Sequence, residues 1–358
     1  MNIYGVIMAG GGGTRFWPLS RKETPKQLLN LTGKELMVNE AVDRLAFVAD
    51  KSNIFIVTNV TQVPSMLEAT KERLKSDHIL SEPSARNTAA CIGYAAMEIL
   101  RKYGDGVMII TPADHYIKDE AGFVRILNEA VRTAENTGKL ITIGINPTFP
   151  SSGFGYIRYD KNENSEAKSV IEFKEKPDEE TAKQYVASGE YAWNSGMFAW
   201  KASVILDKFK EYIPDIYADL TKIGDAMNTT DEKAVIEEVY PSIRKISVDY
   251  AVMEKAAATG DVLVVPGEMG WNDVGSFDMM EVLRDKDENG NILEGDVVAV
   301  DCRDSIILSS GKTLTAVDVE GLVIVETKDA IMVCPKEKAQ SVKKIVETLQ
   351  AQGRNELL

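Results

Sequence analysis

Histidine is nearly absent from this 358-residue chain: His78 and His115 are its only two, which excludes a histidine-rich metal site. Cysteine is almost as scarce. Cys91, Cys302 and Cys334 are far apart, odd in number and without a Cys-x-x-Cys pair, so they read as reduced thiols of a cytosolic protein rather than a disulfide framework. Basic residues are outnumbered, 41 Lys and Arg against 55 Asp and Glu, giving a net charge of -14. That balance excludes a broad cationic surface for nucleic acid or anionic membrane, and any polyanionic ligand must meet a local basic cluster. No apolar run reaches membrane-spanning length, and the opening MNIYGVIMA lacks a basic n-region, so the expected location is cytoplasmic.

What is present is ordinary globular material, 44% hydrophobic and 27% charged. Apolar runs at Ile3–Met8, Ile54–Val57, Val107–Ile110 and Leu140–Ile143 read as strands. Between them 35–48, 63–74, 87–100 and 120–134 carry helical spacing. Strands that are continuously apolar rather than alternating imply a sheet covered on both faces, so the fold class is α/β, a Rossmann-like, mostly parallel sheet with helices on both faces. From about Asn289 the texture changes to short β-type runs at 297–300, 306–308, 322–325 and 331–333, then a helix with Val342, Ile345, Val346 and Leu349 on one face. A boundary near residue 288 follows, with a large domain at 1–288 and a small β-rich one at 289–358. The spacing of the short runs is too irregular to name a solenoid.

The string GGGGTRFWPLSRKETPK, residues 10–26, follows the first strand directly. A glycine-rich turn there bares backbone N–H groups and lets a phosphate approach, because no Cβ intervenes. It is not a P-loop, since Gly-x4-Gly-Lys-Ser/Thr is missing. It is not a dinucleotide fingerprint either, since Arg15 occupies the third glycine position. What remains is a glycine turn followed by Arg15, Arg21, Lys22 and Lys26, stiffened by Pro18 and Pro25, which fits a triphosphate.

This stretch resembles the signature of the sugar-1-phosphate nucleotidylyltransferases, and its WPLSR portion is similar to the mannose-1-phosphate guanylyltransferases among them. EPSARNTAA (82–90), TPADHYI (111–117), FGYI (154–157), FKEKP (173–177), WNSGMF (193–198), VDYAVMEK (248–255) and GWNDVGSF (270–277) follow in the same order, so the likeness spans the first ~280 residues. It implies GTP and mannose 1-phosphate as substrates, Mg²⁺ as cofactor, a left-handed β-helix for the tail and a homodimer. Some long relatives add an isomerase domain, for which this chain has too few histidines, so a single activity is expected. A non-catalytic nucleotide-sugar sensor, or the same chemistry with another sugar or base, are the alternatives.

Roles then follow by chemistry. Ala9, the amides of Gly10, Gly11, Gly12, Gly13 and Thr14, and the cations Arg15 and Lys26 would hold the nucleotide phosphates. Asp114, at the carboxyl end of a strand, and Asp273, in a glycine turn, would supply the one or two carboxylates that Mg²⁺ prefers; alone, each could be a turn or cap acid. Lys176 resembles the lysine that holds the sugar phosphate, and Glu175 the acid that accepts from hexose hydroxyls, though a solvated Lys-Glu-Lys turn reads the same way. Asn194, in an apolar run, needs a partner, either a sugar hydroxyl or a backbone group. Gly155 offers close approach to a sugar or marks a β-bulge. Glu82 and Asn87 could present acceptors to guanine, or Glu82 could cap the following helix. Asp249 and Glu254 open a helix, Asp249 as a candidate N-cap.

Overall fold

The computed structural model describes residues 1–358. The apolar runs become β1 (Asn2–Met8), β2 (Ile54–Asn59), β3 (Ile79–Glu82) and β4 (Gly106–Pro112). After a two-residue strand, β5 (Tyr116–Ile117), come β6 (Leu140–Ile145), β7 (Gly155–Tyr159), β8 (Lys168–Lys174), β9 (Tyr191–Lys201) and β10 (Val262–Pro266). All but β5 form one sheet in the order β3-β2-β1-β4-β9-β6-β10-β8-β7, closed locally by a second pairing of β7 with β9. β8 and β9 run against the other strands, so the sheet is mostly parallel but mixed. The departures from a plain βαβ ladder are β9, which inserts antiparallel between β4 and β6, and β8, which lies antiparallel between β10 and β7.

Helices cover both faces. α1 (Met37–Leu45), α2 (Val63–Thr70), α3 (Asn87–Lys102) and α4 (Glu120–Thr137) match the helical spacing of the first half. The second half adds α5 (Glu179–Ser188), α6 (Ala202–Tyr212), α7 (Pro214–Ala226), α8 (Glu232–Val239) and α9 (Glu254–Ala258). Because side chains alternate along a strand, Val6 and Ile7 enter opposite cores. Val6, Phe55, Met108 and Trp200 pack under α3, α6 and α7, whereas Ile7, Ile56, Ile109 and Ala199 pack under α1 and α4. The Asp119 carboxylate accepts from Gly122 N–H at 2.9 Å to open α4, and Gly138 at φ 65° ends it.

β11 (Trp271–Asn272) pairs with β5, and α10 (Met280–Leu283) leads into the tail. There β12 (Ile292–Glu294), β13 (Val297–Val300), β14 (Ile306–Ser309), β15 (Leu314–Val317), β16 (Leu322–Glu326) and β17 (Ile331–Pro335) precede α11 (Lys343–Ala351). The tail is a short β-helix: Val297 pairs with Leu314, Arg303 with Glu320 and Ile306 with Val323, all parallel and all at one sequence offset. The coil before these is shorter, with Ile292 pairing with Ile306, so the repeat length is uneven along the tail, in line with the irregular spacing of its apolar runs. Corners repeat at the longer offset, Asp301 with Asp318 and Asp304 with Gly321, each at positive φ.

The tail is not an appendage. Phe16, Trp17, Leu31, Val274 and Phe277 share one buried core with Ile306, Leu308, Val323, Val342 and Leu349. Trp17 Nε1 donates to the Leu357 carbonyl at 2.8 Å, and Arg21 pairs with Asp329 at 2.7 Å. The glycine segment is thus seated on the C-terminal coil.

Candidate active site

Two cavities lie at the carboxyl ends of β1 and β4, the place where open α/β sheets bind ligands. The first, about 230 Å³, is lined by Gly13, Arg15, Lys26, Asp114, Asp273 and Gly275 among others. The second, about 240 Å³, is lined by residues that include Gly155, Glu175, Lys176, Asn194, Asp249 and Trp271. His115 and Asp273 line both, so the two are ends of one cleft.

At the first end the glycines play different parts. Gly13 sits at φ 59°, and a Cβ there would stand 2.4 Å from Lys26 Cβ, so the turn requires glycine. Gly10, Gly11 and Gly12 are exposed, while Ala9 is buried with its carbonyl accepting from Gln27 Nε2 and from Thr58 Oγ1 at 3.0 Å. Of the four cations in the segment only Arg15 and Lys26 line the cleft. Arg21 is a correction to the four-cation reading, since it turns away to Asp329, and Lys22 is exposed.

Lys26 Nζ donates to Asp114 Oδ2 at 2.9 Å and to the Asp273 carbonyl oxygen at 2.6 Å. Burial pushes the Asp114 carboxyl up, but Lys26 and His115 outweigh it and leave it below its ordinary value. Asp273 is raised, by burial first and with Asp114 adding to it against Lys26. Two carboxylates that repel across one cavity, of which Lys26 compensates only one fully, form a hard oxygen donor set that suits a divalent cation. His115 is held neutral, its pKa pushed down to about 4 by burial, with Asp114 opposing and Lys26 and Arg44 reinforcing. Its Nδ1 accepts from Trp271 Nε1–H at 3.0 Å, which places the ring proton on Nε2.

At the second end Asn194 is fixed by protein groups. Its Oδ1 accepts from Thr142 Oγ1 at 3.1 Å and Gly196 N–H at 3.2 Å, and its Nδ2 donates to Asp249 Oδ1 at 2.8 Å. Glu175 is buried: Oε1 accepts from Lys176 Nζ at 2.8 Å, while Oε2 has no hydrogen-bond partner. A Cβ on Gly155 would lie 2.4 Å from that Oε2, so Gly155 is glycine to admit the acid, not to make a bulge; the register irregularity of β7 is at Arg158/Tyr159. Lys176 takes φ 46°, a strained conformation that turns the chain sharply after Glu175.

Sequence reasoning passed over Asp249 as a helix cap. It instead lies in a π-helical turn, Asp249–Met253, with no side-chain cap, and points at the cleft; burial and Glu175 push it up to about 6. Glu254 Oε1 accepts from Glu175 N–H at 3.1 Å and so seats that acid. No spacing rule separates such a turn from an ordinary helix start.

The two residues expected to read a base stand outside both cavities. Asn87 is exposed, and its Oδ1 accepts from Thr88 N–H at 2.8 Å, which leaves one lone pair open. Glu82 does not cap α3; its Oε1 accepts from Tyr240 O–H, and burial raises it to about 6. Its Oε2 faces Gly10, 3.2 Å from where a Cβ would stand.

The nucleotidyl transferase family model matches residues 4–289, and a mannose-phosphate isomerase/GMP-like β-helix domain matches 295–349. The chain belongs to the nucleotidyl transferase family. It is 40% identical to the mannose-1-phosphate guanylyltransferase RfbM of Salmonella typhimurium over 360 residues, covering 99% of this chain and 74% of that protein. It is likewise 40% identical to the alginate biosynthesis protein AlgA of Pseudomonas aeruginosa over 362 residues, covering 98% and 73%. A Thermus thermophilus structure described as a mannose-1-phosphate geranyltransferase superposes with a TM-score of 0.86 at 30% identity, covering 98% of this chain and 100% of that one. No helix is long and apolar enough to cross a membrane.

Proposed function

We propose that the chain transfers GMP from GTP to mannose 1-phosphate, forming GDP-mannose and diphosphate. The observation that carries this reading is the single cleft in which the glycine-loop cations, the Asp114 and Asp273 carboxylates and the Glu175 end meet through His115 and Asp273. The family match and the names of the relatives support the choice of sugar and base.

In the proposed reaction an oxygen of the sugar phosphate forms a bond to the α-phosphorus of GTP. The bond from that phosphorus to the β-phosphate oxygen breaks, and diphosphate leaves with the electron pair. The nucleophile is mostly dianionic near neutrality, its second pKa being about 6, so no general base is needed. That agrees with a cleft whose one histidine is neutral and held by Trp271. The task left to the protein is to align two anions and offset their charge. Arg15, Lys26 and the Gly11 to Thr14 amides act on the β and γ phosphates. Lys176 acts on the sugar phosphate, and Glu175 and Asn194, with Asp249 behind them, act on the hexose hydroxyls. Glu82 Oε2, facing Gly10, is the acceptor proposed for the guanine edge. Asp114 and Asp273 would hold Mg²⁺, which when bound offsets phosphate charge.

The test is diphosphate release with Mg²⁺, crossing GTP, UTP, dTTP and ATP against mannose, glucose and fucose 1-phosphates. A maximum at GTP with mannose 1-phosphate is expected, and silence with every pair would move the reading to a nucleotide-sugar sensor.

We propose a homodimer as well, supported by Val298, Val300 and Val317, which stand exposed on β13 and β15. A sedimentation mass of 39.4 kDa, that of one chain, would refute it.

A further inference from the structure

The turn that carries Asp273 is restrained from outside the sheet domain. Val274, the next residue, is fully buried and has φ 48°. A β-branched side chain in the left-handed region is strained and persists only where its surroundings fix it. Two restraints are local to the sheet domain: Asn272 Oδ1 accepts from Val274 N–H at 2.7 Å, and Lys26 Nζ donates to the Asp273 carbonyl at 2.6 Å. The third comes from Gln340, in the segment Lys336–Val342 that follows the β-helical coil. Gln340 Nε2 donates to Ser276 Oγ at 2.7 Å, and Gln340 Oε1 accepts from Arg15 Nη1 at 3.1 Å. The same Nη1 donates to the Gly275 carbonyl at 3.1 Å. One amide thus ties the turn to the arginine of the glycine segment. Its own backbone is fixed, because Ala339 and Val342 are buried in the core that holds Phe16, Val274 and Phe277.

We propose that Gln340 is a positioning residue for the triphosphate and metal end of the cleft, through which the C-terminal domain completes the site. The proposal rests on the nucleotidyl transfer reading, in which Arg15 meets the β and γ phosphates and Asp273 the cation. Gln340 touches neither substrate; it acts by holding the strained turn in place and by orienting Arg15 before GTP arrives. Its reach is confined to one end. The groups of the sugar end, Gly155, Glu175, Asn194 and Asp249, bond among themselves and to β6 and α9 and make no hydrogen bond to Gln340. Its loss therefore has a one-sided signature that a general loss of packing would not have.

The test is Gln340→Met in the full chain, which keeps side-chain length and removes both hydrogen bonds. Two readouts are compared with the unaltered protein: backbone hydrogen exchange over residues 272–278, which needs no turnover, and diphosphate release with GTP and mannose 1-phosphate varied in turn. Expected are faster exchange in the turn, kcat/KM for GTP lower by on the order of tenfold, the worth of one or two hydrogen bonds, an unchanged KM for mannose 1-phosphate and an unchanged Tm. With Arg15→Met already present the effect of Gln340→Met on GTP should shrink, because the partner is gone. Unchanged exchange and kinetics would overturn the proposal. So would equal losses for both substrates with a lowered Tm, which describe packing alone. If the unaltered protein releases no diphosphate with any pair, the transfer reading fails while the exchange comparison still decides whether Gln340 holds the turn.

Discussion

Lys26 Nζ lies 2.9 Å from Asp114 Oδ2, with the lysine side chain 6% exposed and the acid 39%. One buried cation therefore joins the end of β4 to the Asp273 turn, whose carbonyl it also meets. Lys26 braces the carboxylate pair in addition to the phosphate role proposed for it, and the two together set what its loss should do.

Lys26→Met should weaken GTP binding more than mannose 1-phosphate binding, which calorimetry with each ligand alone checks. It should also shift pH dependence. Asp114 is below its ordinary value because Lys26 and His115 outweigh burial. Without the lysine, burial dominates and the carboxyl titrates higher, so the acid limb of kcat/KM should move to higher pH. A limb that stays in place would show that Asp114 ionisation does not control the rate. Because the acid is partly exposed and water can screen it, the stability cost should be modest, about 1 kcal/mol.

Asp273→Asn should reduce turnover on the order of 10²- to 10³-fold with the melting temperature kept or raised, since it removes a carboxylate whose burial disfavours its charge. Chelating divalent cations should silence the unaltered protein to a similar degree. Normal turnover of the variant at saturating Mg²⁺ would take Asp273 out of the metal role.

How far the sequence foretold this arrangement depends on what kind of force fixed each part. Strands such as Val107–Ile110 were legible because a sheet covered on both faces is apolar at every position. The direction of β9 was not, since burial is the same whichever way a strand runs. The coil of the tail was implied by the resemblance but not by spacing, because its turns differ in length and what repeats is a pair of corners, Asp301 with Asp318 and Asp304 with Gly321, rather than the short apolar runs. That Gly13, Arg15, Lys26, Asp114 and Asp273 would share one cavity was readable, because each stands in or next to a turn that follows an apolar strand or a glycine. Asp249 and Gln340 were not, because a π-helical turn and a long-range amide contact leave no local pattern.

Gly155→Ala should act on the sugar end alone. A Cβ there would stand 2.4 Å from Glu175 Oε2, and Glu175 is buried beside β7, so the acid must move. The KM for mannose 1-phosphate should rise roughly tenfold, about one hydrogen bond to a charged group, with the KM for GTP unchanged. A larger effect on GTP would contradict the division of the cleft into two ends.

Glu82 makes stability depend on pH in a direction that can be worked out. Its folded value is about 6, raised from 4.5 by burial. Between those values the folded chain holds a proton that the unfolded chain has released, so stability from this group is present below pH 4.5 and falls as pH rises to about 6. The size is about 2 kcal/mol, from 1.36 kcal/mol per unit. Glu82→Gln keeps an acceptor for Tyr240 O–H and should flatten that part of the Tm profile. A profile that falls as steeply in the variant would place the titration elsewhere.

Removing everything after Asp287 should abolish folding rather than yield a separate catalytic domain. The cut leaves Phe16, Trp17, Val274 and Phe277 without Ile306, Leu308, Val323 and Val342, their partners in one core. It also strips Trp17 Nε1 of the Leu357 carbonyl, Arg21 of Asp329, and Arg15 and Ser276 of Gln340. Baring side chains of that size costs about 1.5–3 kcal/mol apiece. Several together exceed the net stability of a typical domain, about 5–15 kcal/mol. Circular dichroism and diphosphate release on the truncated chain decide the matter. A cooperative melt with retained turnover would mean that the glycine segment and the Asp273 turn hold their shape unaided, and that the coil serves another purpose. An unfolded or silent product is the expected result, because the residues that would bind the phosphates rest on a core the coil supplies.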